Sequence, residues 1–191
     1  TYLHKFIFLM PAALIIICCR PPASGQVYYP TTEHITVTAE EEAVYYAIKE
    51  GAVLYASDKD SAMMLILKGI ETSQDLRFGD GIFTGFFLLG ILHIYQGDYE
   101  SAKLWLEKAT KQASLSSKMA TNICRALNNL GNVQHFQGNY QKAAEYYFHA
   151  IHIAENALYR DKDTNVINPL IRIYTSTANA LLQLNETQKA M

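Results

Sequence analysis

The chain has 191 residues, 50% hydrophobic and 18% charged, with a formal net charge of −2. So small a charge excludes the basic footprint of a nucleic-acid binder and offers no attraction to an acidic membrane surface. The length accommodates one domain plus an export segment.

The first element is that export segment. Phe6 to Cys19 is an apolar run of 14 residues behind His4 and Lys5. A membrane helix needs about 20 residues, whereas a run this short suits the core of a signal peptide. Ala23-Ser24-Gly25 supplies the small residues a signal peptidase reads, so cleavage is expected before Gln26. Residues 1–25 are thus a signal peptide or N-terminal membrane anchor. Cys18 and Cys19 leave a lipoprotein anchor open, although Ile16 and Ile17 are bulky for a lipobox. Residues 26–37 read as an extended leader and 38–191 as a helical array.

Thr38-Ala39-Glu40-Glu41 has the form of a capping box, opening a helix through Tyr45, Ile48, Ala52 and Tyr55. Ser57-Asp58-Lys59-Asp60 is a turn, and Ala62, Leu65, Ile66 and Ile70 continue the helical pattern. Gly79-Asp80-Gly81 is expected to separate these helices from the central ones.

The centre of the chain repeats itself. Leu89, Gly90, Gln96, Gly97, Tyr99, Ala102, Ala109 and Ala113 recur 41 positions later as Leu130, Gly131, Gln137, Gly138, Tyr140, Ala143, Ala150 and Ala154. Tyr95 corresponds to Phe136 and Asp98 to Asn139, and no gap is needed. Each copy reads as two helices joined by a tight turn, with Gly97 and Gly138 as left-handed helix ends. Asp98 and Asn139 then cap the second helices. Gly90 and Gly131 lie inside helices, where glycine costs roughly 1 kcal/mol relative to alanine. The repeated cost predicts a close helix approach there, with Ala102 and Ala143 as the small residues opposite.

Farther on, Asn168-Pro169 has the form of an N-cap followed by proline at the first helical position. Ile171, Tyr174, Ala178 and Leu181 make the next face, and Asn185-Glu186-Thr187 stands where the turn would fall. Ala190 lies 47 positions after Ala143, so a second helix is expected to be starting as the sequence reaches Met191. A terminus there would leave a hydrophobic face uncovered, and further parts are expected beyond it.

Leu-Gly, then Gly-Asp-Tyr or Gly-Asn-Tyr, then Ala, Leu106 or Tyr147 and a final Ala resemble the tetratricopeptide repeat. The family period is about 34 residues. The extra seven equal about two helical turns, so longer helices are expected rather than a bulging loop. The resemblance implies an all-α, right-handed superhelix of antiparallel helix pairs. The approximate repeats are 38–78, 82–116, 117–160 and an incomplete 168–191. It also implies a non-catalytic domain that binds a protein or peptide, with no cofactor and no nucleic acid. The export segment and long period are similar to exported sensor regions of bacterial membrane-linked signalling or transcription regulators. That places the chain in the periplasm or at a membrane; a scaffold or assembly lipoprotein without signalling is the alternative.

In this family the first helices line a groove for short peptides. The matching positions are Phe87, Ile91, Ile94 and Tyr95, then Asn128, Asn132, His135 and Phe136, with Asn179 and Gln183 extending the surface. Asn128 and Asn132 could hold a peptide backbone beside Tyr95 and Phe136. Equally, Phe87 and Ile91 could pack beneath a neighbouring helix. Chaperone-tail members clamp a terminal carboxylate with lysines, but Phe87 and Asn128 occupy positions where the first clamp lysine could stand. Trp105 and Tyr146 to Phe148 are expected between helices.

The sequence contains no phosphate loop, nucleophile elbow or Cys-x-x-C pair. Glu145, His149 and His152, spaced i, i+4 and i+7, are the pattern that could bind a divalent metal and support an enzyme. As part of an outer helix, they read first as a solvated face. Cys124 sits among Ile123 and Leu127 and is expected to be a buried thiol.

Overall fold

The computed structural model describes residues 37–116 and 118–189. The signal segment, residues 26–36 of the leader, Ala190 and Met191 lie outside these. The described residues form seven α-helices and no strand: α1 Ala39–Leu54, α2 Lys59–Asp75, α3 Gly79–Gln96, α4 Tyr99–Ala113, α5 Met119–Phe136, α6 Tyr140–Tyr159 and α7 Ile167–Lys189. A 3-10 turn, Thr164–Val166, leads into α7. Each helix packs on its neighbours in sequence, and α1, α3, α5 and α7 also touch in succession. This is an all-α solenoid of helix hairpins.

Local chemistry sets the helix ends. Thr38 Oγ1 accepts from Glu41 N at 3.2 Å while Thr38 N donates to Glu41 Oε2 at 2.8 Å, a complete capping box. Asp58 caps α2 by accepting from Ser61 N, and Asp98 caps α4 by accepting from Ser101 N. Asn139 departs from expectation: its side chain makes no cap bond and donates instead to Gln134 Oε1 at 3.4 Å. The same pair of positions meets in the earlier hairpin, where His93 Nδ1 lies 3.3 Å from Asp98 Oδ2.

The glycines divide by purpose. Gly97 and Gly138 have φ of 76° and 79°, and nothing lies within 4 Å of where a Cβ would be. They are there for backbone conformation. Gly90 and Gly131 are helical, and a Cβ would collide with Leu106 and Tyr147. Ala102 does lie opposite Gly90, as expected, but it is not what fills the space. Ala102 contributes only a carbonyl oxygen, 3.4 Å from the Gly90 Cβ position, and the close approach admits a large side chain four residues later. Gly51 repeats the arrangement against Ile66 and the Ala62 carbonyl, so α1–α2 is a hairpin on the same plan.

Other expectations change. Gly79-Asp80-Gly81 does not separate elements; it forms the first turn of α3 after Phe78. Arg77, at φ 54°, makes the reversal instead. Asn168 is not a cap: Asp163 accepts from Asn165 N, and α7 is already under way at Ile167. Pro169 fits because the first-turn amides of a helix have no intrahelical acceptor. Asn185-Glu186-Thr187 is no turn, because α7 continues unbroken to Lys189. Those three residues have no glycine to reverse the chain.

Alanine-rich close packing makes the main core, with Ala102, Ala109, Ala143, Ala150 and Ala154 all at 0% exposure beside Leu106 and Tyr147. A second cluster joins Ile48, Ile66 and Ile70 to Leu89 and Leu92. Trp105 lies against Phe86 as expected, but Phe148 is 52% exposed, on the outer side of α6.

Candidate functional site

The faces of α3 and α5 left over from packing define the site. On α5, Arg125, Asn128, Asn129 and Asn132 fall at i, i+3, i+4 and i+7, one helical stripe. The Arg125 guanidinium carbon sits 4.4 Å above the Phe87 ring, and its Nη1 lies 3.5 Å from Asn122 Oδ1. Phe87 stacks on Phe83 at 5.5 Å and is buried. Of the two open readings for Phe87, packing holds, and what this position offers a ligand is the arginine above it.

Asn132 is anchored. Its Oδ1 accepts from the Tyr147 hydroxyl at 2.8 Å and its Nδ2 donates to Asn129 Oδ1 at 3.5 Å. Burial pushes the Tyr147 phenol above its usual pKa, so it remains a donor at neutral pH. Asn128 is nine-tenths buried, and its Oδ1 has no hydrogen-bond partner among the described residues. Leaving a buried acceptor unpaired costs roughly 1–3 kcal/mol.

The remaining positions are spread out. Ile91 and Ile94 are half-buried against the core, whereas Tyr95 is 63% exposed at the end of α3. Phe136 is 56% exposed but stacks on Tyr99, 6.1 Å away on α4. His135 is half-buried, edge-on to Phe136 and Tyr140, and burial lowers its pKa. Asn179 and Gln183 are exposed on α7. The structure therefore gathers Asn128 and Asn132 with Arg125 and Asn129, and places Phe136 and His135 at the hairpin turn. The sequence reading missed Arg125 and Asn129, although Arg125 lies three residues before Asn128 on the same stripe.

Elsewhere the groups serve packing. Cys124 is buried, its Sγ donates to Ala150 O at 3.3 Å, and burial pushes its pKa to about 12. Such a thiol is protonated and no nucleophile. Glu145 and His149 line an open depression of about 390 Å³ with Lys103, Gln134, Lys142 and Tyr146. His152 is not among them; its Nδ1 lies 3.2 Å from Asn156 Nδ2. Among the described residues, no three His, Cys, Asp or Glu side chains are placed to hold a metal ion. None of the described helices is long and apolar enough to cross a membrane.

Two stretches match family models, both described as tetratricopeptide repeat: residues 84–114, covering most of α3 and all of α4, and residues 124–157, covering most of α5 and α6. No curated protein matches the chain.

Proposed function

The chain carries tetratricopeptide repeats, and we propose that its α3–α5 face holds an extended peptide segment of a partner protein. Repeats of this type make a protein–protein interaction domain and are generally not catalytic. The observation that carries the finer reading is the α5 stripe: a cation at Arg125, then amides at Asn128, Asn129 and Asn132. Carboxamides offer both donors and acceptors, the complement of a peptide backbone. Asn132 is held in place by Tyr147, which reduces the ordering cost of binding.

The reading extends to location. The apolar run Phe6–Cys19 and the small residues before Gln26 support export, and with it a sensing part of a membrane-linked regulator. A reporter enzyme that is active only outside the cytoplasm, fused after Tyr29, should gain activity; an inactive fusion would remove this placement.

The binding test uses a phage-displayed library of twelve-residue peptides selected on the full chain. Selected peptides should lose about tenfold in affinity on Arg125→Ala or Asn129→Ala, and retain affinity on His149→Ala. Selection that yields no binders, or binders indifferent to both α5 changes, would sink the proposal.

A further inference from the structure

The groove faces of α5 and α7 match in chemistry. Shifting α5 by 47 positions onto α7 places Ala126, Leu130 and Val133 on Ile173, Thr177 and Ala180, and all six are buried. With packing fixing that register, Arg125 falls on Arg172 and Asn132 on Asn179. An arginine seven residues before an asparagine thus recurs on two helices that touch. On α3 the same two places hold Thr84 and Ile91. Both arginines are exposed, so filling the core does not account for them. Arg125 stays exposed although α3 and α7 both pack on α5. A further hairpin stacked beyond α7 in the same way would leave Arg172 in the groove as well.

This half of the groove is positive against the balance of the chain. Helix α5 has no aspartate or glutamate and α7 has none before Glu186, in a chain of net charge −2. A guanidinium stays charged at any working pH, carries five N–H donors and can give a carboxylate two hydrogen bonds at once. We propose, resting on the peptide-binding reading above, that Arg125 and Arg172 together select an acidic segment of a partner protein, with carboxylates at alternate positions. Packed helices lie about 8–10 Å apart. Side chains on one side of an extended chain recur about every 7 Å, and the long arginine stems take up the difference. Each carboxylate then meets one arginine. Asn132 and Asn179, about two turns farther along the same helices, are placed for the ligand backbone. Contact with the Phe87 ring at 4.4 Å holds the Arg125 guanidinium in advance of docking.

The phage-selected twelve-residue peptides test this, because their sequences report ligand chemistry separately from binding itself. They should carry two Asp or Glu residues spaced i, i+2. A fluorescein-labelled selected peptide should lose about tenfold in affinity for the full chain on Arg172→Gln. Changing the peptide's own acids to their amides should cost at least as much. The Arg172→Gln chain should then discriminate less between the acidic peptide and its amide form, the sign of a direct pairing. Lys111→Gln, which removes a charge from the end of α4, should leave the affinity unchanged. If Arg172→Gln lowers the Tm, the peptide-side change alone decides, and an undiminished affinity of the amide form overturns the proposal. Binders without paired acids, or binding indifferent to Arg172→Gln, overturn the acidic ligand while the peptide reading stands. A selection without binders overturns both.

Discussion

The hairpins α3–α4 and α5–α6 share one plan, 41 residues apart, and part company on one face. Where packing decides, they agree: Leu89 with Leu130, Gly90 with Gly131, Ala102 with Ala143. Where packing leaves a choice, they diverge: Thr84 faces Arg125 in the alignment and Ile91 faces Asn132, and even the buried Phe87 is replaced by a buried amide, Asn128. A helix wedged between neighbours tolerates little change in volume, whereas its free face can alter its chemistry at small cost. The first hairpin is accordingly built from apolar contact, and the second holds a polar stripe through Tyr147 and Asn132.

The largest expected effect is at the side chain each inner glycine admits. Tyr147→Ala should destabilise the chain by about 3–5 kcal/mol and Leu106→Ala by about 2–5 kcal/mol, read from urea unfolding midpoints. Only the tyrosine change should also weaken peptide binding, because it frees Asn132. Equal effects on binding would mean the two hairpins contribute alike to the site.

A smaller effect separates the two kinds of glycine. Gly131→Ala pushes a methyl group into the Tyr147 ring, and overpacking of this sort costs about 1–3 kcal/mol. Gly138→Ala meets no atom but must hold a left-handed backbone, at about 1 kcal/mol. Doubling the variants with Tyr147→Leu should relieve only the first. Relief of both would show that Gly138, too, is short of room.

The smallest effect is with acid, and it acts on different groups in the two hairpins. Hydrogen bonds from Ser101, and after them the charge of His93, hold the Asp98 carboxyl below its ordinary range. Folding lowers that pKa, so the contribution is present at neutral pH and is lost as pH falls through the folded value. Asn139 has no such group. In the second hairpin burial lowers the His135 pKa from 6.5, so the unfolded chain takes up the proton first. Stability should therefore also fall as pH drops below about 6.5. Urea midpoints at pH 7, 5 and 3.5 should show His135→Phe flattening the first step and Asp98→Asn the second. A profile that neither variant changes would place the acid sensitivity elsewhere.

Much of this was legible in the residues. The Gly97 and Gly138 turns, the Thr38 capping box and the Asp98 cap depend on groups within a few positions of one another, and all formed as read. Asn139 did not cap, since an amide can bond equally well to Gln134 and nothing nearby favours the cap. Groove positions were the harder part. Helical spacing names a stripe but not its cover, so Phe87 and Tyr95 looked alike although one is buried and the other exposed. Arg125 was passed over because the alignment pairs it with Thr84, which gave no hint of a cation above an aromatic ring.

By itself the sequence determined the repeat, its period, the turns at Gly97 and Gly138 and the helices that flank them. Backbone conformation and capping bonds are settled over three or four residues, and a pattern repeated at 41 positions reveals what they share. Only the tertiary structure decided which of the two apolar faces of α7 is covered, which side chain fills the space at each inner glycine, and that Tyr147 reaches Asn132. Those depend on helices brought together from elsewhere in the chain, where the size and direction of a distant side chain decide what fits.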